Sequence, residues 1–325
     1  MKSLYYDAIV IGAGAAGMAA ALQLNKEGFK TAIVDREEHT GGILMQCIHT
    51  GFGITEFREE LTGPEYAERF IKQLMESDID IFLNTTIRAF NRGEQKNGAP
   101  IKELTGISAK GVIRFYAKSI ILAMGCRERN RGNLRIPGSR PAGVFTAGLA
   151  QRLVNIEGYI PGREVVIIGS GDIGLIMARR MSWVGCRVLA VVEIMQKASG
   201  LTRNVVQCLN DNNIPLLLST HVTKILGNDR VEGVEIMHME KKSVINCDTV
   251  LLSVGLIPEN ELSKEAGLQL DKTTGGPLVD EHLMTEMQGV FACGNVLYVH
   301  DLVDAVTEEA RKAGSFASAW IKNNF

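Results

Sequence analysis

No two of the six cysteines in this chain stand as a Cys-x-x-Cys pair. Cys47, Cys126, Cys186, Cys208, Cys247 and Cys293 are scattered, as are the six histidines. Zinc and iron–sulfur spacings are therefore missing, no metal site is expected, and reduced, mostly buried thiols are the natural reading. An excess of one charge is missing too. Thirty-five basic residues meet 37 acidic ones, a formal net charge of −2, which leaves no electrostatic footprint for nucleic acid. The charged clusters at 127–131 and 308–311 read as solvated faces. No stretch reaches the ~18–20 apolar residues of a membrane helix, and no low-complexity segment interrupts the chain. Residues 8–24 are apolar enough to suggest a signal peptide, but Asp7 stands where its positive region would be. The expectation is a soluble, cytoplasmic protein without membrane insertion.

What is present is one pattern written twice. The run Asp7-Ala8-Ile9-Val10-Ile11 leads into Gly12-Ala13-Gly14-Ala15-Ala16-Gly17, and Glu164-Val165-Val166-Ile167-Ile168 leads into Gly169-Ser170-Gly171-Asp172-Ile173-Gly174. A helix-like stretch, a second apolar strand and a carboxylate follow each. Asp35 lies 23 residues after Gly12, and Glu193 lies 24 after Gly169. The first glycine of such a loop permits the sharp strand-to-helix turn, the second lets backbone approach a pyrophosphate, and the third lets helix and strand pack closely. The pyrophosphate then rests on N–H groups at a positive helix terminus, and the carboxylate accepts from ribose hydroxyls. A chain that binds two dinucleotides usually moves electrons between them.

At 325 residues the chain is comfortable for two domains, each with its own core. It reads as an α/β protein with two Rossmann-like, three-layer ββα/βαβ dinucleotide-binding domains, one inserted in the other. Residues 1–125 and 256–325 form the outer domain and 126–255 the inserted one. Within the first, residues 64–77 predict a helix, with Tyr66, Phe70, Ile71 and Leu74 on one face. A strand follows at 79–83. Residues 87–90 and 107–116, around turns at Gly93, Gly98 and Gly111, predict a small antiparallel meander, and 119–123 a separate buried strand. A polar stretch at 126–141 carries the crossing. Residues 301–322 have helical periodicity and no proline.

On these motifs the chain resembles the two-dinucleotide-binding-domain flavoproteins of the short thioredoxin-reductase-like type, over essentially its whole length. Ala123-Met124-Gly125 and Ser253-Val254-Gly255 are similar to the family's crossover motifs, and the run Gly289 to Asn295 to its C-terminal FAD motif. The stretches GGILMQCIHTGFG, LAMGCRERNRG, GSGDIGLIMARR and FACGNVLYVHDLVD carry a closer resemblance. It is to small FAD/NAD oxidoreductases found beside glycerol-3-phosphate dehydrogenase-like proteins in anaerobic bacteria. Subunits of opine oxidase, hydrogen cyanide synthase and dye-linked proline dehydrogenase are more distantly similar. Many of those carry a cysteine-rich C-terminal extension not present in this sequence.

The resemblance implies FAD on the outer unit and NAD(H) on the inserted one. Gly12, Gly14, Ala15, Ala16 and Gly17 would cradle the FAD pyrophosphate, and Asp35, with Arg36 beside it, would hold the adenosine ribose. Gly41-Gly42 matches the pair that passes close to the flavin, with Ile43, Leu44 and Gln46 near its ring system. Ile87 lies on the strand that reads the adenine, and Ala123, Met124 and Gly125 close the site. Gly294 matches the C-terminal motif, but Asn295 replaces its usual Asp. An amide still bonds a hydroxyl; the charge is lost. A helix entered near Leu302 and Val303 would aim N–H groups at the flavin N1/O2 edge and stabilise the anionic reduced form. On the inserted unit, Gly169, Gly171, Asp172, Ile173, Glu193 and Gly255 fall on the NAD(H) site. Glu193 accepts from a 2′-hydroxyl and repels a 2′-phosphate, and no arginine follows closely, so NADH is preferred over NADPH.

The cysteine pair of disulfide-reducing relatives is not found. Cys47 stands alone five residues after Gly42. It reads either as a redox thiol that cycles through a sulfenic acid or as a small residue packed near the flavin. Gln46 and His49 are the other candidate catalytic groups, and His300 and Asp301 precede the flavin-facing helix. Three functions stay open. The first is an FAD-dependent NAD(H) oxidoreductase exchanging electrons with a partner flavoprotein or iron–sulfur protein of a dehydrogenase system. The second is a stand-alone NADH oxidase or reductase of oxygen, peroxide or a small organic acceptor. The third is a non-catalytic nucleotide-binding assembly subunit. A homodimer is expected by analogy, as is rotation of the inserted domain about hinges near residues 125 and 255.

Overall fold

The computed structural model describes residues 2–91, 95–96 and 99–325; the turns expected at Gly93 and Gly98 lie outside the described residues. The chain divides into two compact units, Met1–Arg127 with Ile257–Phe325, and Glu128–Leu256. Both are Rossmann-like α/β units.

In the first unit the apolar run after Asp7 becomes the strand Lys2–Ile11, with Ile9 and Val10 fully buried. Thr31–Val34 and then Asp80–Phe82 lie parallel to it on one side, and Gly111–Leu122 lies parallel on the other. Such strands are covered on both faces, which is why they read as unbroken apolar runs. Lys102–Ser108 and Thr85–Asn91 continue the sheet in antiparallel fashion. The separate strands expected at 107–116 and 119–123 are instead joined into one from Gly111 onward. Its first part pairs antiparallel with Lys102–Ser108, and its last three residues pair parallel with Val290–Ala292. No glycine or proline stands between Gly111 and Gly125 to turn the chain.

Helix Ala15–Lys26 is built from small residues and packs on the C-terminal helix Val303–Asn324. A Cβ on Gly314 would lie 2.8 Å from the Ala20 carbonyl oxygen, so the two backbones approach closely. Helix Gly63–Met75 begins with a capping box between Thr62 and Glu65. Tyr66, Phe70 and Leu74 are buried as their spacing predicts, and the Tyr66 hydroxyl meets Thr307 Oγ1 at 2.7 Å. Lys102 is enclosed, only 1 % exposed. Its Nζ donates to the Lys118 carbonyl at 2.9 Å and lies 4.3 Å from the Trp320 ring centroid. Burial lowers its pKa to about 7.

The second unit repeats the plan. Its parallel sheet runs Val144–Thr146, Thr249–Leu252, Glu164–Ile168, Arg187–Val192 and Leu216–Leu217. Thr220–Leu226, Gly233–His238 and Lys241–Asn246 form a separate antiparallel meander. No described helix is long and apolar enough to cross a membrane.

Candidate functional site

In the first unit the glycine loop joins the end of Lys2–Ile11 to helix Ala15–Lys26. Gly12 has φ +109°, and a Cβ there would sit 2.3 Å from the Ala123 carbonyl oxygen. A Cβ on Gly17 would fall 1.7 Å from the Gly12 carbonyl oxygen, so helix and strand touch as the motif requires. Gly14 faces open space, and no side chain caps the helix that it precedes. An uncapped, positive helix end with an open face is a cradle for an anionic group. Asp35, at the end of Thr31–Val34, closes the loop. Its Oδ2 accepts from Ala13 N at 2.5 Å and its Oδ1 from Glu37 N at 2.8 Å. Each oxygen keeps a second lone pair for a ribose hydroxyl.

Other segments converge on the same end of the sheet. Gly41 N donates to the Ala13 carbonyl at 2.8 Å, and a Cβ on Gly42 would lie 3.0 Å from Gly14 Cα. A Cβ on Gly294 would meet Ala16 Cβ at 2.8 Å. The structure therefore brings the loops holding Gly12, Asp35, Gly42, Ala123 and Gly294 together. Met124 and Gly125 follow Ala123 directly, Gly125 at φ +71°. Ile43 is 64 % exposed, while Leu44 and Gln46 turn inward. Thr85 N donates to the Asp35 carbonyl at 2.9 Å, but Ile87 packs into the core, and Arg36 points outward beside Glu37. Leu302 is the exposed N-cap residue of the C-terminal helix, which Val303 begins.

Asn295 and His300 behind this end were expected near the flavin; Glu309, Asp304 and Arg311 were not foreseen. Glu309 Oε1 accepts from Gly294 N at 2.6 Å. Asn295 Oδ1 accepts from His300 N at 3.0 Å, and its Nδ2 donates to Cys126 Sγ at 3.5 Å. Asp304 accepts from Thr55 N at 2.7 Å and Gly53 N at 3.2 Å, tying the loop after His49 to the C-terminal helix. Arg311 forms a two-pronged ion pair with Glu56. The reading of 308–311 as a solvated face is thus corrected. Glu308 does pair with Lys312 in solvent, but Glu309 is turned inward toward His300, and the half-exposed Arg311 reaches the more enclosed Glu56. The cluster at 127–131 does lie largely in solvent, with Arg127, Arg129 and Asn130 exposed, and it is tied down by local bonds. Arg127 pairs with Glu259 and Glu261, and Arg131 donates to the carbonyls of Ile136, Pro137 and Ser139.

Cys47 is half-buried, and burial pushes its thiol up to about 12. A thiol so placed holds its proton at neutral pH and is a poor nucleophile. His49 lies on Phe52, with ring centroids 5.1 Å apart and Nδ1 3.1 Å from the Thr50 carbonyl oxygen.

The second unit has the same loop. Gly169 has φ +98°, and a Cβ there would lie 2.0 Å from the Ser253 carbonyl oxygen; one on Gly174 would lie 2.4 Å from the Gly169 carbonyl oxygen. Gly171 precedes helix Asp172–Trp183, again without a side-chain cap. Glu193, only 5 % exposed, ends strand Arg187–Val192. Its Oε2 accepts from Ser170 N at 3.0 Å and Ser170 Oγ at 2.5 Å, and its Oε1 from Met195 N at 2.9 Å. Burial works to raise its pKa, but these bonds, with Ser199, outweigh it and lower the value. The Asp172 carboxylate is occupied by Leu201 N at 2.8 Å and Asn204 Nδ2 at 2.7 Å. Ile173 is 39 % exposed, and Gly255, at φ +99°, lies beside the Arg129 side chain. Among the described residues no group of His, Cys, Asp and Glu converges as a metal site.

Residues 6–315 match the family model described as pyridine nucleotide-disulphide oxidoreductase. The chain belongs to that family. Its cofactors are FAD and a nicotinamide dinucleotide, and the two loops, each with an open uncapped helix end and a closing carboxylate, fit them. An opine oxidase subunit from Rhizobium meliloti is 27 % identical over 316 residues, covering 90 % of this chain and 58 % of that one. The corresponding protein of Agrobacterium tumefaciens is covered to 61 %, so the chain spans about three-fifths of these relatives. Thioredoxin reductase of Treponema pallidum is 26 % identical over 299 residues, 90 % of this chain and 89 % of that one. The structure of T. acidophilum thioredoxin reductase superposes with a TM-score of 0.79 at 25 % identity, covering 97 % and 98 % of the two chains.

Proposed function

We propose that this oxidoreductase holds FAD on the unit of Gly12 and Asp35 and NAD(H) on the unit of Gly169 and Glu193. Electrons would pass between NAD(H) and a partner flavoprotein or iron–sulfur protein of a dehydrogenase system. The observation that carries this reading is the same closed loop in both units: a carboxylate bonded to the first N–H after the first glycine, Asp35 to Ala13 and Glu193 to Ser170. FAD, when bound, would supply the two-electron chemistry with NAD(H). The protein's own part is to bind, orient and shield. Gly12 and Gly169 let the chain turn, Gly14 and Gly171 would let backbone approach the pyrophosphates at the helix ends, and Asp35 and Glu193 would bond ribose hydroxyls with their remaining lone pairs.

NADH is the proposed nicotinamide partner. Glu193 is negatively charged, bonded on both oxygens, and followed by the exposed apolar pair Ile194 and Met195. A 2′-phosphate would meet that carboxylate with no cation next to it in sequence. Replacing Glu193 with Ser is expected to narrow the preference for NADH over NADPH by at least about tenfold, ~1.4 kcal/mol. Stopped-flow reduction by each nucleotide reads it; an unchanged ratio contradicts the assignment. Glu193→Gln keeps the bulk and separates the charge from the support that Glu193 gives the Ser170 loop.

A separate partner is supported by the state of the thiols. Burial pushes the Cys47 thiol up and disfavours its thiolate, and the sequence offers no Cys-x-x-Cys pair to pass electrons on. The opine oxidase relatives are, by name, subunits of a larger oxidase. Co-purification with a second redox protein from the source cells tests this, and rapid turnover of the isolated chain with a small acceptor would contradict it.

A further inference from the structure

The ring of His300 lies between three acceptors. Its Nδ1 is 3.2 Å from Asn295 Oδ1 and 3.0 Å from the Tyr298 carbonyl oxygen. The identity of that Asn295 oxygen is fixed by the backbone: His300 N–H donates to the same atom at 3.0 Å, and only the oxygen of the amide accepts. Nδ1 therefore carries hydrogen. On the other side, buried Nε2 makes no aligned hydrogen bond among the described residues, yet lies 3.4 Å from Glu309 Oε2. That carboxylate is built as an anion, accepting from Gly294 N at 2.6 Å and from the Tyr298 hydroxyl at 3.2 Å. A bare Nε2 lone pair against it would be repulsive. A ring with hydrogen on both nitrogens instead sets a positive charge within ion-pair distance, 3.4 Å, of that carboxylate.

The surroundings suit a cation. The Tyr298 ring stacks on His300, centroids 4.1 Å apart and planes 25° from parallel. The His300 and Glu309 side chains are 6 % and 15 % exposed. The other titratable groups facing the pair are the Tyr298 hydroxyl and the Cys293 thiol, both raised by burial and by Glu309, with Cys126 beyond Asn295.

We infer that His300 and Glu309 form a built-in ion pair whose positive end faces Asn295, and that His300 is a positioning residue that tunes the bound flavin through that amide. The amide of Asn295 thus has a cation behind it. The inference rests on the reading that FAD occupies the first unit. A positive end near the flavin favours uptake of electrons, so the pair raises the reduction potential of the bound cofactor.

Two measurements test it together. Ring 15N NMR on the protein stripped of FAD is expected to show His300 with both nitrogens protonated at neutral pH. The potential of bound FAD, equilibrated against reference dyes, is expected to shift negative in H300Q and positive in E309Q, where the ring's charge is left uncompensated. The larger shift belongs to H300Q, which leaves Glu309 unpaired. A structural role alone would weaken FAD retention and leave the potential in place. A neutral, single-tautomer ring in the wild-type protein, or wild-type potentials in both variants, overturns the inference. A wild-type protein that takes up no FAD would instead overturn the cofactor assignment, and the ring measurement would still decide the pair.

Discussion

Gly12 shows how narrowly a single position can be specified. Its φ of +109° and the Ala123 carbonyl oxygen 2.3 Å from where a methyl would stand leave room for hydrogen alone. Gly12→Ala is expected to lower FAD affinity at least about tenfold, ~1.4 kcal/mol, read as flavin bound per chain after gel filtration. Retention of a full complement would show that the loop has slack it does not display. Cys47 makes the opposite case. Burial pushes its thiol up to about 12, which disfavours the thiolate, so Cys47→Ser is expected to leave the rate of flavin reduction by NADH within about twofold of wild type. A tenfold loss would revive the redox-thiol reading. The glycines were legible because a strand-to-helix turn is a local demand met by local residues. Glu309 was not, since its partner Gly294 lies 15 residues back across a chain reversal, and charge spacing alone made it look solvated. The acids at 35 and 193 were read as ribose acceptors; that they also bond Ala13 and Ser170 depends on loop geometry that no spacing conveys.

Between elements, the strand Lys102–Ser108 and the helix Val303–Asn324 enclose an amine against an indole. Lys102 is lowered from its ordinary 10.5 to about 7 by burial. Between those values the unfolded chain binds a proton that the folded chain does not, so this group makes the protein more stable as pH rises from about 7 to about 10.5. The slope is at most about 1.4 kcal/mol per pH unit. Lys102→Met is expected to flatten that rise, as read from urea unfolding at neutral and alkaline pH; an equal slope in both proteins would contradict it. The element boundaries were mostly legible, because apolar runs and helical spacing are written in consecutive residues. The join of 107–116 and 119–123 was missed because alternation gives way to a continuous apolar run at the point where one strand passes from an exposed meander into a buried parallel sheet.

At the scale of the whole chain, two units built on the same loop are the reason to assign electron transfer rather than binding alone. The doubling was visible in sequence, since both glycine loops and both carboxylates recur at nearly the same spacing. The partner was not, because no residue pattern in the chain specifies what receives or donates the electrons. The most direct test is an anaerobic titration of the FAD-loaded protein with NADH and, separately, NADPH, followed in the visible flavin band. Rapid, stoichiometric bleaching by NADH and a much slower response to NADPH is the expected result. A flavin that neither nucleotide bleaches would contradict the account, whatever the two loops look like.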